Sequence, residues 1–234
     1  MQTLNGKTDS WEIYSQIKVR PPLIVRADGR GFKKLLQDRK KPFDLNFAKS
    51  IVSSAARLFD SSGLSPALAF VFSDEVNLLF LDAPFAGRIE KIDSVIASFI
   101  SSVLSLDLGY VVSMDSRVIP VYEGEVAEYL RERQDETWRN HVFSYGFYML
   151  VGDGKSRDQA MSELRGMKES EIHELLFGRG INLAKTPAWE RRGVLVYRKD
   201  SKISEDWELP LFGSEEGKRL LGEIITESKA KKYK

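Results

Sequence analysis

Ala67-Leu68-Ala69-Phe70-Val71-Phe72 is followed by Ser73-Asp74-Glu75 and then by Val76-Asn77-Leu78-Leu79-Phe80-Leu81. Two apolar runs that favour a pleated backbone are separated by only three polar residues. Runs of this length read as strands, and so short a link returns the second strand antiparallel to the first. The spacing predicts a hairpin with acidic residues at its tip.

Working outward, Pro21-Pro22 halts whatever precedes it, and residues 23–27 form a short apolar run that stops at Asp28-Gly29. That pattern predicts a buried strand with a turn at its end. Ile51, Ala55, Leu58 and Phe59 recur at helical spacing within residues 48–59, and residues 63–66 break the pattern. Beyond the hairpin, Ile89, Ile92, Ile96, Phe99, Ile100 and Val103 mark a long amphipathic helix over 88–106. Strands are expected at 110–114 and 117–121. The order strand, helix, hairpin, helix, strand is close to the split βαβ arrangement of the ferredoxin-like fold, which polymerase palms share. The expected class is therefore α/β (α+β), a palm-like antiparallel sheet with packed helices.

The second half reads differently. Residues 123–150 predict one long or kinked helix, and 157–164 and 169–176 two short helices divided by Gly166. A late strand is expected at 194–197, a terminal helix at 215–227 and a basic, mobile tail at 229–234. We expect a single catalytic domain over 1–234. Its palm-like core, with the metal and triphosphate site, takes about 1–122, and a mainly helical elaboration takes about 123–234.

Composition narrows the chemistry. Of the 234 residues, 42% are hydrophobic, enough for a sizeable core, and no low-complexity tract interrupts them. There is no cysteine, which excludes disulfides, thiolate zinc sites and cysteine nucleophiles together. Residues 1–10 lack the basic and apolar segments of a secretory signal, and no apolar run approaches the ~20 residues that span a bilayer. A cytoplasmic protein without a membrane partner is expected. A net charge of +1 means that any nucleic-acid contact must come from local patches. Lys33, Lys34, Arg39, Lys40 and Lys41 form one such patch, and Arg191, Arg192, Arg198 and Lys199 another, unless they are simply solvated edges.

Asp28 sits where the first strand exits, and Asp74 sits at the tip of a hairpin expected to lie in the same sheet. Two carboxylates on neighbouring strand ends suit a pair of Mg²⁺ ions roughly 3.5–4 Å apart, with waters and substrate phosphates completing the shells. Either acidic turn alone is ordinary; the pairing is informative. Gly29-Arg30-Gly31-Phe32 offers two glycines where backbone amides can approach a triphosphate, with Lys33, Lys34 and Lys41 to balance its charge. No Gly-Lys-Ser/Thr follows, so this is not a Walker A loop.

Asp28-Gly29-Arg30-Gly31-Phe32, Lys41-Pro42-Phe43-Asp44, Ser73-Asp74-Glu75 and the helix from Arg88 through Lys91 resemble, in order and spacing, the signature of the tRNA-histidine guanylyltransferase family. Arg133-Gln134, Asn140, Gly178-Arg179-Gly180-Ile181-Asn182 and Arg192-Gly193-Val194-Leu195-Val196 resemble its C-terminal half. The resemblance implies that Asp28, Asp74 and Glu75 are catalytic, and that Asp28, Asp74 and the Gly29 carbonyl hold two Mg²⁺ ions. It implies a nucleotide site made of Gly29, Arg30, Gly31, Phe32, Lys33, Lys41, Asp44, Ser73, Arg88 and Lys91.

The implied reaction adds GMP from GTP to the 5′ end of a tRNA acceptor stem, after ATP has activated the 5′-monophosphate. The implied assembly is a homo-oligomer, dimer or tetramer. Trp138-Arg139-Asn140-His141-Val142-Phe143-Ser144 stands where many eukaryotic members carry His-Ile-Asn-Asn-Leu-Tyr-Asn and keeps only the first asparagine. That variant resembles the archaeal and guanylyltransferase-like branch, which implies template-dependent 3′-to-5′ addition and repair of 5′-truncated tRNAs generally.

Two other classes stay open on sequence. One is a nucleotide cyclase-like palm enzyme, although the chain lacks the Gly-Gly-Asp/Glu-Glu-Phe signature of diguanylate cyclases. The other is a non-catalytic RNA-binding module on the same fold. His141 and His173 read as structural or surface residues, and Trp138, Phe143, Phe147 and Tyr148 as buried in a core or subunit interface in preference to stacking on bases. Arg131, Arg133 and Arg139 face either RNA phosphate or solvent.

Overall fold

The structure is a computed structural model and describes residues 12–230. The segment 1–10 and the end of the basic tail lie outside the described residues. Six strands form one sheet in the order β4-β1-β3-β2-β5-β6, and every neighbouring pair is antiparallel. β1 is Leu23–Gly29, β2 Leu68–Phe72, β3 Glu75–Phe80, β4 Met114–Pro120, β5 Val194–Lys199 and β6 Lys202–Asp206. The first four strands carry the expected hairpin beside β1.

Helices cover both faces. α1 is the short Phe32–Leu35, α2 is Leu45–Ser61 and α3 is Ile89–Leu108. α4 is Val126–Gly152, α5 Arg157–Leu164, α6 Glu169–Gly178, α7 Ala188–Arg192 and α8 Glu215–Ala230. Because side chains alternate along a strand, β1 sends Leu23, Val25 and Ala27 into a core with Ile51, Leu58, Ile96 and Ile100 of α2 and α3. It sends Ile24 to the other face, against Leu130 of α4 and Leu221 of α8. Strands buried on both sides read as continuous apolar runs, which is why β2 and β3 were legible. Each fully buried Leu, Val or Phe contributes roughly 1.5–3 kcal/mol of burial.

α4, α5 and α6 enclose a third core around Val142, Leu150, Leu164 and Leu176. This helical part is tied to the rest of the chain by strand pairing and by polar side chains of α4. β5 pairs with β2, and the buried Gln134 of α4 bonds the carbonyls of Arg192 and Pro210 and accepts the Phe212 amide at 2.7 Å.

Three expectations are corrected. Residues 110–113 form no strand; the fourth strand is the single segment Met114–Pro120, seated on α3 by Ser101, whose hydroxyl accepts the Met114 amide at 2.9 Å. β6 was not anticipated, because Lys202–Asp206 carries one apolar residue and pairs only at the sheet edge. The hairpin tip is two residues long, not three, so Glu75 belongs to β3.

Candidate active site

The end of β1 meets the tip of the hairpin. Asp28 lies across from Glu75 on one side and from Asp115 on the other. Its carboxylate accepts the Gly29 amide at 3.1 Å. A Cβ at Gly29 would fall 2.4 Å from the Phe32 ring and 2.8 Å from Asp74 Oδ2. Only a residue without a side chain lets the Asp74 carboxylate come this close to the β1 backbone. Ser73 turns the hairpin at φ 51°, the region that favours glycine, and its hydroxyl donates to Asp74 Oδ1 at 3.1 Å.

Burial lifts the Asp74 carboxyl above the ordinary range, and the neighbouring Asp28 carboxylate lifts it further. Neither aspartate has an ion-pair partner among the described residues. Nor does any group of three or more His, Cys, Asp or Glu there form a metal cage. Two like charges share one small region uncompensated.

The glycine loop follows. Gly31 takes φ 72° and opens α1, and buried Phe32 packs its ring 5.6 Å from Phe47 to anchor the loop on α2. The Arg30 amide donates to Ser113 O at 2.9 Å and is spent; the amides of Gly31, Phe32 and Lys33 have no partner among the described residues. Lys33 and Lys34 make no ion pair there either.

These elements open onto a cavity of about 330 Å³. Phe32, Lys33, Lys41, Asp44, Ser73 and Asp74 line it, as do the apolar side chains of Phe43, Phe47, Ile51 and Val71. Two residues of the expected nucleotide site are engaged elsewhere. Lys41 Nζ donates to the Leu36 carbonyl and sits 5.5 Å from the Tyr148 ring. Asp44 caps α2 by accepting the Phe47 amide at 2.8 Å and also accepts the Lys40 amide. Arg88 and Lys91 do not line the cavity. They follow β3, whose first residue is at the site and whose six residues run away from it, so the chain places them toward the opposite end of the sheet.

Glu75 is where the structure departs most from the sequence reading. Strand alternation turns it away from Asp74, and it is buried, not displayed at the tip. Arg133 of α4 grips it with two bonds, Nε to Oε1 at 2.9 Å and Nη2 to Oε2 at 2.8 Å. Asn77 Nδ2 donates to Oε1, and Tyr129 donates to Asn77 Oδ1, both at 2.8 Å. Arg133 therefore serves Glu75 and is not a free contact for RNA phosphate. Arg191, Arg192 and Arg198 are likewise engaged, with the carbonyls of Thr186, Leu209 and Phe59.

The opposite wall escaped the sequence reading. Thr137, Asn140, Ser144 and Tyr148 line the cavity at steps of three, four and four along α4, and Trp189 and Glu190 of α7 join them. The helical stripe was the available signal; the approach of α7 had none. Glu190 Oε2 accepts the Tyr145 hydroxyl at 2.6 Å. Burial raises the Glu190 carboxyl, against the pull of Tyr145, Lys40 and Arg191. His141 is structural, as expected, but fully buried. Its ring stacks on Phe43 at 5.5 Å, Nε2 lies 3.0 Å from Thr186 Oγ1, and burial followed by the Arg191 charge pushes its pKa down to about 4.

Comparison with known proteins gives this geometry a family. The profile described as tRNAHis guanylyltransferase matches residues 6–130, and the Thg1 C terminal domain profile matches 124–233. The chain belongs to the tRNAHis guanylyltransferase family. Among its relatives, tRNA(His) guanylyltransferase 1 of Arabidopsis thaliana is 30% identical over 214 residues, covering 84% of this chain and 37% of the plant protein. The chain thus spans well under half the length of that relative. A bacterial tRNA(His) guanylyltransferase-like protein in complex with ATP superposes with a TM-score of 0.79 at 23% identity, covering 95% of this chain and 99% of the other. The same type of protein in complex with GTP gives 0.75 at 21%, covering 96% and 99%. At that identity they establish the fold alone. No helix among the described residues is long and apolar enough to cross a membrane.

Proposed function

We propose that the chain is a Mg²⁺-dependent nucleotidyltransferase that adds GMP from GTP to the 5′ end of a tRNA. The observation that carries this reading is the pair of uncompensated carboxylates, Asp28 and Asp74, brought together at the end of β1 and the hairpin tip, with Asp74 lining a nucleotide-sized cavity. Family membership and the ATP and GTP complexes of the bacterial proteins of like fold support it.

The residues present fit a divalent cation. The missing Cβ at Gly29 lets the Asp74 carboxylate close on the end of β1, and two hard carboxylates plus the Gly29 carbonyl match a cation that keeps several waters. Asp28, Asp74 and that carbonyl would hold two Mg²⁺ ions, which supply charge neutralisation for the triphosphate and the attacking oxygen. The free amides of Gly31, Phe32 and Lys33, with the Lys33 side chain, bind phosphate oxygens. Apolar walls from Phe43, Phe47 and Ile51 seat the base and exclude water.

In the first step the tRNA 5′-monophosphate attacks the α-phosphorus of ATP, forming an adenylylated end and releasing pyrophosphate. The 3′-hydroxyl of GTP then attacks the activated phosphate and releases AMP. Positioning and charge, without a covalent nucleophile, carry such displacements. The two halves act as one catalytic unit in a homo-oligomer. Asn140 is the one retained residue of the eukaryotic asparagine motif, which favours template-dependent addition and repair of 5′-truncated tRNAs over strict tRNA-histidine selectivity.

The test is incubation of 5′-monophosphorylated tRNA-histidine and of a 5′-truncated tRNA with ATP, GTP and Mg²⁺. A 5′-extended product on either supports the reading, and extension following the opposite strand supports the repair form. No extension on either, with the chain folded, ends it.

A further inference from the structure

Arg133 of α4 touches both residues that flank the hairpin tip. Its guanidinium donates two bonds to Glu75, the first residue of β3, and its central carbon lies 5.3 Å from the ring centroid of Phe72, the last residue of β2. Phe72 and Glu75 are partners across the hairpin, so only Ser73 and Asp74 stand between them. Ser73 holds φ 51° without being glycine, a conformation that persists only where the surroundings impose it. Glu75 is also the partner of Asp28 on β1. It follows Asp74 along the chain and faces Asp28 across the sheet, so a shift of Glu75 changes the separation of the two aspartates.

The helix that carries Arg133 is itself fixed. Gln134, the next residue, is buried and bonded to backbone groups of Arg192, Pro210 and Phe212. Thr137, one turn on, donates its hydroxyl to the Arg133 carbonyl at 2.9 Å and lines the cavity. The Arg133 side chain is 19% exposed and that of Glu75 10%, so water competes little for their contact.

We propose that Arg133 is a positioning residue: by clamping Phe72 and Glu75 it sets the distance between Asp28 and Asp74, and with it the affinity of the site for a divalent cation. The inference rests on these two aspartates being the metal ligands. The bonds of Arg133 go to Glu75 and to neither aspartate, so its effect reaches them through the backbone of the tip. Groups that orient metal ligands from behind are worth about 10–100-fold in metal affinity.

R133M alone leaves Glu75 buried without a cation and mixes damage to the fold with displacement of the tip; R133M/E75Q removes that charge and separates the two. The unaltered chain, E75Q and R133M/E75Q are compared by hydrogen exchange without metal, and by Mn²⁺ binding with GTP present, read by electron paramagnetic resonance as loss of the free-ion signal beyond that caused by GTP alone. E75Q keeps Arg133 on Phe72 and offers it an amide oxygen, and is expected to keep Mn²⁺. In R133M/E75Q, exchange at residues 72–75 should rise while the centres of β2 and β3 stay protected. Its Mn²⁺ dissociation constant should rise about tenfold or more.

Mn²⁺ bound by R133M/E75Q as tightly as by E75Q overturns the proposal, as does a tip that exchanges no faster than in E75Q. Should R133M/E75Q not fold, R133K decides, because lysine keeps a charge for Glu75 but lacks the planar group that lies by Phe72. Weaker Mn²⁺ binding by folded R133K supports the clamp, and unchanged binding overturns it. If the unaltered chain takes up no Mn²⁺ beyond that held by GTP, the metal-site reading itself fails; if all the chains bind it equally, only the assignment of Arg133 does.

Discussion

The hairpin tip and the helical wall that faces it handle acidic side chains in opposite ways. At the tip, Asp74 is partly buried beside Asp28, and no cation among the described residues pairs with either. On the wall side, Glu75 is held by two bonds from Arg133 and one from Asn77, and Glu190 by Tyr145 and the nearby charge of Lys40. Asp74 and Glu75 are neighbours in sequence, yet one has no cation among the described residues and the other is paired with Arg133. Uncompensated charge is kept where an outside cation is needed, and compensated charge is used to join α4 to the sheet.

The sharpest way to break this contrast is to neutralise one carboxylate of each kind. Asp28→Asn or Asp74→Asn is expected to lower nucleotide transfer by roughly 10³-fold or more with the melting temperature unchanged or raised, because the substitution relieves like-charge repulsion. A loss of folding together with activity would contradict the assignment. Arg133→Met should cost about 3–5 kcal/mol of stability by leaving Glu75 buried and unpaired. Adding Glu75→Gln to Arg133→Met should recover part of that cost, which a denaturant titration of both variants will show.

A smaller effect comes from His141. Its pKa falls from 6.5 to about 4 in the folded chain, so between those values the unfolded chain takes up a proton that the folded chain refuses. Stability from this residue is complete above pH 6.5 and declines as pH falls toward 4, by about 3 kcal/mol in all. His141→Phe should flatten that slope in urea unfolding compared at pH 7 and pH 4.5. The smallest expected effect is at the α2 cap, where Asp44→Ala should cost about 1 kcal/mol. A larger loss of nucleotide affinity than of stability would show that Asp44 touches ligand as well.

The same two regions explain what sequence alone could show. Strands β1, β2 and β3 carry apolar residues on both faces, and the turn residues between β2 and β3 fix their register, so the convergence of Asp28 and Asp74 was legible. The fate of Glu75 turned on a single residue. With a three-residue tip it is exposed; with a two-residue tip it enters β3 and faces α4. The partner that then receives it, Arg133, is 58 residues away and carries no local signal. The Tyr145–Glu190 pair likewise depends on α7 folding back onto α4, which no periodicity encodes. Lys41 and Asp44 were found at the cavity, but their bonds to Leu36 and Phe47 belong to local loop and cap geometry that the motif does not reveal.

The contrast between the two neighbours comes down to whether Asp74, and not Glu75, takes a divalent cation. Mn²⁺ binding in the presence of GTP, followed by electron paramagnetic resonance, compares the unaltered chain with D74N and E75Q. D74N is expected to lose bound Mn²⁺ and E75Q to keep it. Mn²⁺ bound as well by D74N as by the unaltered chain, or lost equally from both variants, would contradict it.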